Sequence, residues 1–109
     1  MKDVVKTGGE WVDSIQLEEL IATVPSVVEA SVIAVADDKW GERPLAVIIS
    51  RPGTAPTLAE INAPIDRAIQ SGVITRYARI DRFVVIESLP RTSVGKIDKK
   101  ALRAQFSET

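Results

Sequence analysis

Apolar residues fall on helical spacing in two stretches of this chain and crowd into nearly unbroken runs in three others. Leu17, Leu20, Ile21 and Val24 recur three or four residues apart, the spacing that puts side chains on one face of an α-helix. Asp13 or Ser14 supplies the cap, Gln16 stands three residues after Asp13 to reach back, and Pro25 ends the run. Leu58, Ile61, Ile65 and Ile69 repeat the pattern behind Thr57 and Glu60, which are spaced as a capping box. Pro64 lies within this second helix and is expected to kink or interrupt it, because proline has no N–H and its ring crowds the preceding turn.

The runs SVVEASVIAVA, LAVIIS and IDRFVVIES are rich in β-branched residues and read as strands, the first two covered on both faces. Between the first two lies DDKWGERP, Asp37 to Pro44, read as a charged loop that suits an antiparallel pair. The opening KDVVKTGGEWV reads as a hairpin turned by Gly8 and Gly9, which tolerate backbone angles that a side chain forbids. After the PRTSVGK turn, Asp98 caps a short last helix with Leu102 and Phe106 facing inward. The expected architecture is a single α+β domain over residues 1–109: an N-terminal β-hairpin plus a three-stranded antiparallel sheet, covered by about three helices.

Composition narrows the chemistry. With 109 residues, one domain with one modest core is the prior. There is no cysteine and no histidine, which removes disulfides, thiolate chemistry, Ser-His triads and the commonest metal ligand. Fourteen basic residues against 15 acidic, net charge −1, give no electrostatic reason to expect nucleic acid or an anionic membrane as partner. No apolar run approaches the ~20 residues of a membrane span, and no apolar segment follows the first lysines as a signal peptide would require, so a cytoplasmic setting is expected.

Two turns then stand out, KTGGEW and PRTSVGK, each joining glycine to lysine. Glycine lets the main chain approach a ligand closely, and lysine adds a mobile point charge. Neither is a P-loop, which has a longer glycine spacing and a hydroxyl after its lysine. On pattern alone each is either an anion-contacting turn or a plain chain reversal.

KDVVKTGGEWVDSIQLEELI resembles the opening of the C-terminal domain of adenylate-forming enzymes, the acyl-CoA synthetases and their relatives. DDKWGERPLAVI is similar to the middle of that domain and PRTSVGKIDKKALR to its closing motif. The likeness covers nearly the whole chain in the right order, and the TGGEW and DKWGERP segments look most like bacterial medium-chain fatty-acid–CoA ligases. The resemblance implies a reaction in two halves. A carboxylate attacks the α-phosphate of ATP to give acyl-adenylate and pyrophosphate, and the thiol of coenzyme A then displaces AMP to give the thioester. A large N-terminal domain, absent here, would hold ATP, magnesium and the acyl group. The lid would rotate between halves. Alone, the fragment is expected to be inactive.

Carried onto this chain, Lys96 matches the lysine that enters the site during adenylation. Gly8, Gly9 and Glu10 match the loop lining the pantetheine passage in the second half, with Lys6 beside them as a helper of the thiol step. Lys2 matches the hinge, where the family carries Asp or Lys, although the arginine usual before it is missing; a chain that starts at a hinge reads as an excised domain. Arg76 and Arg79, with Arg82, would contact coenzyme A phosphates or the N-terminal domain, or form a solvated face; Ile80 stands where the family often has proline. Trp11 would line the passage or fill the core, and Trp40 and Glu42 read as structural loop residues. No residue is assigned to a metal. Lys96, the sole lysine on its turn, is a candidate for charge-removing acetylation. The competing reading is a stand-alone interaction or regulatory module sharing this fold; a long upstream reading frame ending just before Lys2 discriminates against it.

Overall fold

The computed structural model describes residues 4–106, so Lys2 lies outside the described residues. The elements in chain order are β1 (Val4–Thr7), β2 (Glu10–Asp13), α1 (Ser14–Ile21), β3 (Val27–Asp37), β4 (Gly41–Ser50), α2 (Leu58–Gln70), a 3-10 turn (Arg76–Ala78), β5 (Arg82–Val85) and α3 (Lys99–Phe106). Five strands and three helices make the expected α+β class.

The opening hairpin pairs antiparallel from Val4–Asp13 to Thr7–Glu10. Its two-residue loop has φ of 59° at Gly8 and 84° at Gly9. Positive φ at both central positions marks the tight turn whose twist matches its flanking strands, and glycine enters it at least cost. Asp13 ends β2 and caps α1, its Oδ1 accepting the N–H groups of Ile15 at 2.9 Å and Gln16 at 3.3 Å. Leu17 and Ile21 face inward from α1, and Val24 is buried just beyond it.

β3 and β4 form the longest pair, antiparallel from Val27–Ser50 to Asp37–Gly41, with an irregularity between Val27 and Glu29. The segment expected as an eight-residue loop is mostly strand; only residues 38–40 turn. Asp37 folds that turn tightly by accepting the N–H groups of Lys39 and Trp40, both at 2.9 Å.

One edge of β4 is taken by β3. The other carries β1 at its start, through Thr7–Gly41, and β5 further along, from Leu45–Arg82 to Ile48–Val85. The hairpin is therefore part of one five-stranded sheet. β5 runs parallel to β4, where an antiparallel third strand was expected. The link between them is α2 and the 3-10 turn, the long crossover that parallel neighbours need.

Both faces of the sheet are covered, as the unbroken apolar runs require. On one side Val32, Ala46 and Ile48 pack with Leu17, Ile21, Ile61, Ile65 and Ile80. On the other, Ile33, Leu45 and Val47 pack with Leu89 and Leu102, and half-buried Phe106 joins them. Pro64 does not interrupt α2, which runs unbroken behind a complete capping box: Thr57 Oγ1 accepts from Glu60 N–H at 3.2 Å, and Glu60 Oε1 accepts from Thr57 N–H at 2.8 Å. Asp98 caps α3 by accepting the Ala101 N–H at 3.0 Å. Among the described residues no helix is long and apolar enough to cross a membrane.

Candidate functional site

The glycine turn rests on an aromatic pair. Gly8 donates its N–H to the Trp40 carbonyl at 2.9 Å, and the Trp40 and Tyr77 rings lie 5.7 Å apart between centroids. A Cβ on Gly8 would come within 3.1 Å of both rings, whereas one on Gly9 would meet nothing within 4 Å. Gly9 and Glu10 are exposed. Lys6 donates its main-chain N–H to Glu42 Oε1 at 2.9 Å, and its ammonium lies 5.1 Å from the Trp11 ring centroid. Trp11 is 64% exposed and so is not a core aromatic. Trp40 and Glu42, read from the sequence as loop residues, both brace this turn.

Arg43 ties the same end together and was not singled out in the sequence. Its guanidinium donates to Asp81 Oδ2 at 2.8 Å, to Thr7 Oγ1 at 3.1 Å, to the Tyr77 carbonyl at 2.8 Å and to the Arg79 carbonyl at 2.6 Å. The only trace of it in the sequence is a charge at the head of an apolar strand, whose partners lie 34 to 38 residues away.

The three arginines do not form one patch. Arg79 is paired with Asp66 on α2, at 3.0 Å and 3.4 Å. Arg76 lies over the Tyr77 ring, 5.2 Å from its centroid, and its hydrogen bond to the Tyr77 hydroxyl pushes its pKa further up. Arg82 sits on β5.

The PRTSVGK segment is a small braced loop. Asp98 N–H donates to the Pro90 carbonyl at 2.7 Å, Thr92 N–H to the Lys96 carbonyl at 2.7 Å and Gly95 N–H to the Thr92 carbonyl at 2.9 Å. Arg91 and Ile97 face each other as an antiparallel bridge. Lys96 is exposed, and among the described residues its ammonium has no hydrogen bond or ion pair. Lys99, three residues on, is the opposite case: its Nζ reaches Glu18 Oε2 at 2.6 Å and the Val32 carbonyl at 3.1 Å with only 15% of the side chain exposed.

The two turns sit at opposite ends of the β3–β4 pair. The glycine turn lies against Trp40, beside Asp37; the lysine loop is tied by Arg91 to Glu29. Glu29 and Asp37 are eight residue steps apart along β3, about 26 Å at ~3.3 Å per step. The hollow beside the glycine turn, about 270 Å³, is lined by Glu10, Trp11, Gln16, Val73 and Thr75. That is below the ~300–1,000 Å³ usual for a small-molecule pocket. Among the described residues no group of three or more acidic side chains is gathered to hold a metal ion.

Residues 16–96 match the AMP-binding enzyme C-terminal domain family. The chain is 42% identical over 106 residues to a long-chain-fatty-acid–CoA ligase of Thermus thermophilus, covering 97% of this chain and 19% of that protein. It is 35% identical over 108 residues to a medium-chain-fatty-acid–CoA ligase of Ectopseudomonas oleovorans, covering 98% and 19%. The fold superposes on the crystal structure of apo MatB from Rhodopseudomonas palustris with a TM-score of 0.85 at 30% identity, over 98% of this chain and 20% of that one. The chain thus spans about a fifth of the length of the curated relatives it matches.

Proposed function

The chain belongs to the family of AMP-binding enzyme C-terminal domains, and from that premise we propose that it is the mobile lid of a larger adenylate-forming ligase that joins a fatty acid to coenzyme A. The observation that carries this reading is the Lys96 ammonium, held outward without a partner by a loop whose main chain is internally hydrogen-bonded. During adenylation, negative charge gathers between the incoming carboxylate and the α-phosphate oxygens as pyrophosphate departs. An ammonium placed there lowers that barrier without any proton transfer. A lysine already paired, as Lys99 is, would first have to break its own contacts.

The second half is assigned to the other end of the domain. Exposed main chain at Gly9, with Glu10 next to it and Lys6 alongside, offers a bare surface along which a pantetheine arm could reach the acyl carbon. Because the β3 residues that anchor the two turns, Asp37 and Glu29, are about 26 Å apart along the strand, one orientation of a rigid domain brings only one turn to a given reacting atom. A lid that serves both halves must rotate between them, and Lys2 would be its hinge. Arg76 would then lie on the rim of the glycine-turn end, able to meet a coenzyme A phosphate, while Arg79 stays with Asp66.

ATP, magnesium and the fatty acid would be held by the N-terminal body. Relatives named for long-chain and medium-chain substrates match this domain alike, which supports an acyl pocket located elsewhere. The test is Lys96→Ala in the full-length enzyme. Acyl-adenylate formation should fall about 10²–10³-fold, while thioester formation from supplied acyl-adenylate continues. Equal loss in both halves would reject the assignment.

A further inference from the structure

We propose that Arg91 and Glu29 form a clasp that aims Lys96, a positioning device whose role rests on the reading of Lys96 just given. The loop that carries Lys96 has reasons to wander. Its tip residue Val94 is 78% exposed, and Gly95, with φ of 87°, has nothing within 4 Å of where a Cβ would stand. Its three main-chain hydrogen bonds hold its shape, and Leu89 and Ile97 anchor its base in the core, but none of these ties the exposed tip from Ser93 to Gly95 to the sheet.

Arg91 adds a polar link from the tip to the sheet. One guanidinium nitrogen donates to the carbonyl of Gly95, the residue directly before Lys96, at 3.2 Å. The other reaches Glu29 Oε2 at 2.6 Å. A single planar group thereby joins the peptide that leads into Lys96 to the start of β3, the edge strand of the sheet. The register irregularity between Val27 and Glu29 lies at this point of β3, and such irregularities re-aim side chains. A lysine at position 91 could not replace the fork, since a point charge cannot span two diverging acceptors in a fixed geometry.

The clasp is poorly suited to hold the fold together. Its partners are 44% and 33% exposed, and ion pairs that meet water add little stability. Its effect should appear in the rate of one half-reaction, because a misplacement of ~1 Å can cost about 10²-fold.

The experiment uses the full-length enzyme with Arg91→Ala, Arg91→Lys, Glu29→Gln and the Arg91→Ala/Glu29→Gln double variant, beside Lys96→Ala. Arg91→Ala should lower kcat for acyl-adenylate formation about tenfold to hundredfold. KM for ATP, thioester formation from supplied acyl-adenylate and the melting temperature should stay near wild type. Arg91→Lys should recover little, Glu29→Gln should act in the same direction, and the double variant should be no slower than the worse single one. If Arg91→Ala proves unstable, Arg91→Lys and Glu29→Gln carry the same comparison. Wild-type adenylation in the Arg91 and Glu29 variants, with Lys96→Ala still impaired, overturns the clasp and leaves the Lys96 assignment standing. Equal loss in both halves overturns it as well, as a merely structural contact. A Lys96→Ala enzyme that adenylates normally removes the assignment itself, and the clasp with it.

Discussion

Gly8 and Trp40 are joined twice. The glycine N–H donates to the Trp40 carbonyl at 2.9 Å, and a side chain on Gly8 would begin 3.1 Å from the indole ring. The turn assigned to the thioester step is therefore seated on a fixed aromatic platform, with Tyr77 as its second half. Tyr77 in turn is held by its main-chain carbonyl to Arg43.

That seating separates two glycines that look equivalent in sequence. Gly8→Ala meets both a left-handed backbone, which costs a side-chain-bearing residue ~1–2 kcal/mol, and rings 3.1 Å away. Gly9→Ala meets the backbone cost alone. Urea denaturation should place Gly8→Ala below Gly9→Ala in stability by about 1 kcal/mol or more, the range of a crowding penalty. In the full-length enzyme Gly8→Ala should slow thioester formation more than adenylation. Equal stability of the two variants would remove the platform from the account.

Arg43 makes the case for a specific fork over a generic charge. Its guanidinium, with only 12% of the side chain exposed, satisfies two main-chain carbonyls, a hydroxyl and a carboxylate. Arg43→Lys keeps the charge and can serve one or two of them. The acceptors left without donors should make the variant about 2–3 kcal/mol less stable. The check is a lowered urea midpoint with an unchanged slope.

Glu18 and Lys99 bind α1 to α3 across β3. Glu18 Oε2 accepts from Lys99 at 2.6 Å and from the Val32 N–H at 2.8 Å, with Ser31 Oγ at 3.4 Å. Removing the carboxylate takes an acceptor from the Lys99 ammonium, the Val32 N–H and the Ser31 hydroxyl; removing the ammonium takes a donor from the Val32 carbonyl and leaves Glu18 its main-chain donor. Glu18→Ala should therefore cost more than Lys99→Ala, about 3 kcal/mol against 1–2 kcal/mol. Thermal or urea unfolding of both variants would detect an inverted order.

What was legible in the sequence is what local chemistry decides. Asp13, Thr57 with Glu60, and Asp98 cap their helices through contacts three residues away or fewer, so each start could be read directly. The two glycines announced the hairpin for the same reason. Their charge makes Glu42 and Arg43 read as loop, yet they lie in β4. Their partners Lys6 and Asp81 are 36 and 38 residues distant, and tertiary contacts overrode local polarity. The short apolar run of β5 fits either direction of pairing, and only the intervening helical crossover decides for the parallel one. Lys96 was legible as a motif, but its difference from Lys99, outward against inward, depends on where Glu18 ends up.

The last prediction concerns the chain by itself. If Lys96 acts on a nucleotide bound by another body, these 109 residues should show no ATP–pyrophosphate exchange and bind ATP very weakly. Added to an N-terminal body lacking its lid, the chain should restore some exchange, rising in proportion to its concentration. A tether supplies an effective concentration on the order of 1 mM, so ~10 μM of free chain should give about a hundredth of the tethered rate. The Lys96→Ala chain should give none above background. Exchange by the chain alone would mean that the nucleotide site lies within it, and rescue by the Lys96→Ala chain would mean that the lid contributes shape and no charge.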